Sequence, residues 1–227
     1  MKPISILFFF AFLYSSIFAQ NPNDAVVIYS GGAMRTMNIQ NKKTETEGSF
    51  YYNNDWYTGD IELFSGEIIK NYPLKYDMKM QQIDIKVEGG VKFVNAHTVK
   101  VISWVHSTGA VEVLKNVSNF KEFNGTGFFS ILSEGKVTLL KKTELTLLEA
   151  NYNAAMDVGA ENNKYVKKEK YYILKGNSVQ EIKKSKKAIS VILSDHISKV
   201  DEYVNQYNLN VKEEYDLIKI FDFYNSL

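Results

Sequence analysis

The sequence predicts a mainly β protein with a helical end (β+α): an antiparallel meander that forms a sandwich or a partly closed barrel, followed by a bundle of about three short helices. Short β-branched and aromatic runs are separated by two- or three-residue turn signals, as in antiparallel hairpins. Apolar and polar residues alternate strictly from Ile83 to Glu88, which is typical of a strand with one buried face. After Ile182 the apolar spacing changes to that of helices.

Residues 1–19 have the pattern of a secretory signal peptide. Lys2 precedes the largely apolar run from Ile4 to Leu13, and Ala19 is the small residue expected before a cleavage site. The apolar run is shorter than the roughly 20 residues that span a bilayer. We therefore expect cleavage after Ala19, export of the chain, and no membrane-spanning segment after cleavage; the alternative is an uncleaved membrane anchor.

The predicted antiparallel β domain covers residues 20–182. Turn signals at Ser65-Gly66 and Gly89-Gly90 separate alternating runs and predict tight hairpins. The run from Val99 to His106 has apolar residues on both faces, which predicts a central strand covered on both sides. About ten strands joined in chain order follow from these signals, and either a sandwich or a partly closed barrel accommodates them.

The predicted helical tail covers residues 183–227 and packs on the β domain. A first helix is predicted from Lys184 to Leu193. Asn210 and Glu213 have the spacing of a helix-capping box, with Asn in place of the usual Ser or Thr. Two apolar stripes at helical spacing predict the other helices. They consist of Ile197, Val200, Val204 and Tyr207, and of Leu217, Ile220, Phe221 and Tyr224.

The composition excludes several classes of function. The chain has no cysteine, and therefore no disulfide, thiol nucleophile or Cys-ligated zinc. It has 27 basic and 26 acidic residues, and the predicted leader contains only Lys2 among them, so the exported part is neutral. No net field attracts it to nucleic acid. Arg35 is the only arginine, which gives little support for bidentate recognition of phosphate.

The sequence contains no recognisable catalytic, metal or nucleotide-binding motif. The histidines His97, His106 and His196 lack the i, i+4 spacing of a helical metal pair. There is no Gly-x-Ser-x-Gly turn and no phosphate-binding glycine loop. We therefore expect no enzyme activity, no cofactor and no metal.

Aromatic residues provide the candidate surface for a ligand or partner. The chain has 15 Tyr, 14 Phe and 2 Trp, and aromatic side chains combine large contact area with a polar group. The alternative is that they fill the core of the sheet. The candidates are Trp56, Tyr57, Trp104 and Phe128.

The densest charge run is the candidate for contact with an anionic surface. It stands at the predicted start of the first helix, so the alternative is a helix end that is simply exposed to solvent. The run includes Lys183, Lys184, Lys186 and Lys187.

Several stretches resemble a group of uncharacterised exported proteins of Bacteroidota. The first is Trp56-Tyr57-x-Gly59-x-Ile61-x-Leu63 with Gly66, followed by Tyr72-Pro73-Leu74-Lys75-Tyr76-Asp77; the second is the end of the chain, with Tyr171-Tyr172-Ile173, Lys183 to Lys187, and Asn208-Leu209-Asn210 through Tyr224-Asn225. The resemblance implies an envelope location and no catalytic role. Because the cysteine of envelope lipoproteins is missing, we expect a periplasmic protein, with an extracellular location as the alternative.

The predicted function is a non-catalytic exported protein that acts as a binding or scaffold module for an envelope protein partner. Exposed strand edges, the helical tail and the absence of site motifs lead to this prediction. The alternative is a carrier that holds a lipid or other apolar ligand in a half-open β-sheet, which the excess of aromatic residues suggests.

Overall fold

The computed structural model describes residues 26–30, 33–37, 46–121, 123–153 and 155–227. The predicted signal peptide, residues 1–19, lies outside the described residues and stays a prediction. Contacts divide the chain into two units, Met1–Lys43 and Thr44–Leu227. In the first unit, strands β1 (Val26–Ser30) and β2 (Ala33–Met37) form an antiparallel hairpin. This hairpin is a two-stranded sheet of its own, although the predicted β domain begins at residue 20.

The second unit contains one sheet of eleven strands that does not close. Strands account for 46% of the chain and three helices follow them, which confirms the predicted fold class. The strands are β3 Thr46–Glu47, β4 Tyr57–Leu63, β5 Ile68–Asp77, β6 Gln82–Val87, β7 Gly90–Asn95, β8 Val99–Val105, β9 Val111–Asn116, β10 Phe128–Ser133, β11 Thr138–Leu148, β12 Asn163–Lys175 and β13 Ser178–Ile182.

Two runs of consecutive strands make up this sheet. Its order is β13-β12-β11-β10-β9-β8-β4-β5-β6-β7, and every pair along this path is antiparallel. Strand β8 pairs with β4 and so joins the two runs. Strand β3 pairs in parallel with β12, outside this path. The predicted central strand is β8, but only its face with Val99, Ile102 and Trp104 is fully buried.

The sheet folds over, so that its two halves face each other. Tyr76 of β5 and Phe128 of β10 are four strands apart in the sheet, which is roughly 19 Å in a flat sheet with the usual strand spacing. Their ring centroids are only 5.1 Å apart. Leu145 of β11 packs against the same cluster of buried side chains, which includes Ile61 and Leu74. The arrangement is that of a sandwich whose two layers are continuous at the bend.

The segment after β3 crosses between the two layers, and we call residues 48–53 the strap. Beside β12, Lys167 Nζ donates to the carbonyl oxygen of Tyr52 at 3.0 Å. Beside β5, the amide of Tyr52 donates to the carbonyl oxygen of Tyr76 at 2.8 Å. The amide of Met78 donates to the carbonyl oxygen of Phe50 at 3.0 Å. The strap therefore fixes one layer to the other at one side of the folded sheet.

Three helices follow β13: α1 (Lys186–Ile192), α2 (Ile197–Gln206) and α3 (Glu214–Asn225). Ser185 caps α1 by accepting a hydrogen bond from the amide of Ala188, as Ser does at helix starts. The capping box predicted at Asn210 does not form, because Asn210 accepts from the amide of Lys212 and α3 begins without a side-chain cap.

The helices bury their apolar stripes against the ends of β11 and β12. Leu217, Ile220 and Phe221 of α3 share one buried cluster with Leu139 and Ile173 of these strands. Side-chain hydrogen bonds from α3 to the loop before β11 fix it further. No helix in the described part of the chain has the length and apolar character needed to cross a membrane.

Candidate functional site

A partly buried carboxylate lies on the inner face of the folded sheet. Glu112 of β9 stands directly opposite Trp104 of β8, and strand alternation places it on the same face as the buried Leu114. Its Oε1 accepts from Tyr52 Oη and from Ser130 Oγ, each at 2.6 Å. A carboxylate at this inward position needs such partners, because a buried charge without hydrogen bonds is costly.

The second oxygen of Glu112 is equally occupied. Its Oε2 accepts from Trp104 Nε1 at 3.0 Å and lies 2.9 Å from His106 Nε2. A carboxylate has about four acceptor positions. The four partners therefore use its whole capacity, and they come from β8 and the residue that follows it, from β10 and from the strap.

The surroundings hold Glu112 in its ionised form. Burial alone raises the pKa of this carboxyl, but the hydrogen bonds from its four partners outweigh burial and the net pKa is lowered. Burial and the neighbouring carboxylate raise the pKa of Tyr52. At neutral pH the pair is thus a carboxylate and a neutral phenol. With its acceptor positions filled, Glu112 anchors the strap to the sheet and has no free position for proton transfer.

An open pocket of about 420 Å³ lies beside this network. Strands β11 and β12 supply one side and the strap supplies the other through Asn53. Asn53 Nδ2 is buried and has no hydrogen-bond partner among the described residues. Lys167 is exposed overall, but partial desolvation of its ammonium lowers its pKa, and no carboxylate in the described residues forms an ion pair with it. Lys141 is paired, with Glu214 at 2.9 Å.

A second candidate is the free edge of β7. This strand ends the sheet, and among the described residues no strand pairs with its outer side. Its side chains Val91 and Phe93 are 56% and 66% exposed. They lie on one face because they are two residues apart. An unpaired edge of this kind offers backbone donors and acceptors to another chain.

The structure separates the four aromatic candidates of the sequence. Trp104 and Phe128 are 1% and 5% exposed and belong to the core, so neither contributes to a surface in this structure. Tyr57 is half-buried and its ring lies 4.7 Å from that of His106, beside the Glu112 network. Trp56 is also half-buried and lies under the ammonium of Lys75, whose Nζ is 5.2 Å from the ring centroid.

The lysine candidates lie at the start of α1. Three of the four, Lys183, Lys186 and Lys187, are exposed. Lys184 is half-buried instead, and its Nζ lies 4.3 Å from the ring centroid of Tyr171. This cation–π contact fixes Lys184 to the sheet and leaves the other three to face solvent.

Sequence reasoning missed Glu112, Ser130 and Asn53. The alternating run Val111-Glu112-Val113-Leu114 places Glu112 on the face of Leu114, but only the structure shows that this face is the buried one. In the described part of the chain, no group of three or more His, Asp or Glu side chains is placed to hold a metal ion. Comparison with known proteins found no matching family model, no matching curated protein and no matching solved structure.

Proposed function

We propose that this protein is a non-catalytic exported binding module that takes an extended segment of a protein partner at the free edge of β7. One observation carries the proposal: β7 is six residues long, five of them exposed, with one side unpaired among the described residues. Strand addition uses the backbone of such an edge for affinity and alternate side chains for specificity. The resemblance to exported envelope proteins supports an envelope partner.

The other strand edges are less suitable. Strand β13 has only five residues and leads directly into α1. On the β13 side of β12, residues 165–170 lie in the short gap between the partners β3 and β13, and Lys167 of this stretch is bound to the strap. At β7, Lys92 is the only charged residue in the strand. A central lysine discourages unspecific pairing, so we expect the partner segment to have apolar residues opposite Val91 and Phe93 and an acid near Lys92.

The carrier alternative has less support. An apolar cargo needs an apolar cavity, but the enclosed face is occupied by packed side chains and by the polar network of Glu112. The pocket beside that network is lined mainly by charged and amide side chains, among them Lys141, Lys167 and Glu169. A lipid would leave these groups without partners, so the edge of β7 is the better supported site.

The test is crosslinking in the producing cells. A photoreactive residue at position 91 of the full chain is expected to give a discrete adduct whose second protein is identified by mass spectrometry. That protein is then purified, and hydrogen exchange is measured on the mixture. We expect protection of every second amide of residues 90–95, those that point away from β6, because strand addition pairs them. Binding that leaves these amides unprotected overturns the edge site, and absence of any adduct overturns the binding module.

The matched control is an equally exposed apolar residue elsewhere. Phe93→Lys is expected to weaken binding about tenfold or more, since exposed aromatic anchors often contribute over 1 kcal/mol to an interface. Val191 of α1 is 70% exposed, and Val191→Lys should leave the affinity unchanged. Equal effects of the two substitutions count against the site.

A further inference from the structure

We propose that the pocket between the strap and strands β11 and β12 binds a small zwitterion, a molecule with a carboxylate and an ammonium a few ångströms apart, such as a free amino acid. The site is separate from the edge of β7 and does not depend on the proposed function. It rests on two donors that lack an anionic partner, on one carboxylate with open positions, and on the charge balance of the pocket.

The donors are Asn53 and Lys167. The Nδ2 atom of Asn53 has no partner among the described residues, which is rare for a buried amide. Asn53 lines the pocket, and binding requires a rotation about χ2 that turns the buried amide toward the ligand. Lys167 uses one of its three N–H groups on the carbonyl oxygen of Tyr52. A ligand carboxylate can accept from both side chains and so supplies the anion that the ammonium of Lys167 lacks.

The acceptor is Glu169, two residues further along β12. Residues i and i+2 lie on the same face of a strand, about 7 Å apart. The Glu169 carboxylate is half exposed and makes only long contacts, with Lys141 Nζ at 3.5 Å and with Tyr171 Oη at 3.4 Å. It therefore has room for a ligand ammonium. The spacing suits a ligand whose two charges are a few ångströms apart.

The charge balance favours a zwitterion over an ion of one sign. The charged residues that line the pocket are two cations, Lys141 and Lys167, and two anions, Glu112 and Glu169. Lys141 pairs with Glu214 and the oxygens of Glu112 accept four hydrogen bonds, so Lys167 and Glu169 are the two charges with open hydrogen-bonding positions. A simple anion or cation pairs with only one of them and meets repulsion from the other.

A sugar fits the pocket less well. Sugar sites commonly present an open aromatic face, but among the described residues Tyr52 is the only aromatic residue that lines this pocket. Its ring packs on Trp104, with 5.8 Å between the centroids, and its hydroxyl is bound to Glu112. No ring face among the lining residues is free for stacking.

Calorimetric titration of the full chain tests the ligand class. The probes are L-alanine, N-acetyl-L-alanine without the ammonium, L-alaninamide without the carboxylate, and maltose. We expect L-alanine to bind at least tenfold more tightly than either single-charge analogue, since each analogue loses one charge-assisted hydrogen-bonding group. Absence of L-alanine binding at millimolar concentration, or equal or tighter binding of any other probe, overturns the proposal.

Substitutions then locate the site. Lys167→Met and Glu169→Gln are each expected to weaken L-alanine binding about tenfold or more. Lys168→Met is the control, because Lys168 is exposed on the opposite face of the same strand. Asn53→Ala should weaken binding while leaving the melting temperature of the free protein unchanged or higher, because it removes an unpartnered amide. Equal effects of Lys167→Met and Lys168→Met refute this pocket as the site.

Discussion

Replacement of Glu112 by Gln or Leu tests whether its hydrogen-bond network holds the two layers together. Gln has the same shape but offers one oxygen and one NH₂ group. Its oxygen must face the N–H of Trp104, which cannot reverse its role, while the hydroxyls of Tyr52 and Ser130 turn to accept from the NH₂. With Leu, the Trp104 N–H has neither a partner nor water, because that side chain is 1% exposed.

The hydrogen bonds that Glu112 accepts determine how much stability each substitution is expected to remove. A hydrogen bond to a charged group contributes about 1.5–3 kcal/mol and a neutral one about 0.5–1.5 kcal/mol. Four weakened bonds, partly offset by the lower cost of burying a neutral group, give a loss of about 2 kcal/mol for Glu112→Gln. For Glu112→Leu the buried N–H of Trp104 loses its acceptor, while Tyr52 and Ser130, already 3.2 Å apart, can pair with each other. The expected loss is about 4 kcal/mol.

The assay is urea unfolding followed by tryptophan fluorescence at pH 7, with free energies from linear extrapolation. Glu134→Gln is the control, because the side chain of Glu134 is 68% exposed in its ion pair with Lys115 and should matter by less than about 0.5 kcal/mol. The reasoning fails if Glu112→Gln lies within about 0.5 kcal/mol of the unmodified protein. It also fails if Glu112→Leu lowers the free energy of unfolding no more than Glu112→Gln does.

The stability that Glu112 contributes is expected to depend on pH. The pKa of Glu112 is lowered in the folded state from its ordinary value of 4.5, so its stabilisation is complete above pH 4.5 and is lost as pH falls through the folded value. The difference in unfolding free energy between the unmodified protein and Glu112→Gln should be constant above pH 4.5 and shrink below it. A difference that grows in acid contradicts the assigned ionisation.

Two further predictions concern the same layers. The pKa of Tyr52 is raised from 10.0 in the folded protein. The stability that depends on its neutral phenol is therefore complete below pH 10 and is lost as pH rises further. Unfolding free energies above pH 10 should fall more steeply for the unmodified protein than for Tyr52→Phe. Gly59→Ala places a Cβ against the carbonyl oxygen of Ser103 on the neighbouring strand. This substitution should lower the free energy of unfolding in urea by about 2 kcal/mol or more. The control is Gly66→Ala, whose Cβ meets open space, so that it tests the backbone effect alone.

Alternation predicts the strands well where one face is uniformly apolar. Ile83 and Ile85 of β6 are buried and Lys86 is exposed, as their period of two requires. Asp84 breaks the rule and is buried too. It accepts from Tyr51 Oη at 3.1 Å and from Gln82 Nε2 at 2.8 Å. The partner Tyr51 lies 33 positions away in the strap, so no local pattern could predict this burial.

The candidate sites are harder to predict because they arise from tertiary folding. In β9 the apolar Val111 is 64% exposed while Glu112 faces inward, so hydrophobicity alone suggests the wrong face for this strand. The strand pattern places Trp104 correctly in β8, but its burial depends on the fold of the sheet, which brings Tyr52 over it. Likewise, a free edge at β7 follows from the pairing of β8 with β4, and hairpin signals do not specify that pairing.

The junction between β4 and β8 has a consequence for the route by which the chain folds. Every other neighbouring pair in the main path joins consecutive strands, whereas Ile61 and Ile102 must meet across the whole of β5, β6 and β7. Loop closure of this length costs entropy before any contact compensates for it. We expect the two runs to form early and their union to limit the refolding rate. Ile102→Val should then slow refolding in stopped-flow experiments. If the substitution changes the unfolding rate alone, β4 and β8 pair only after the folding transition state.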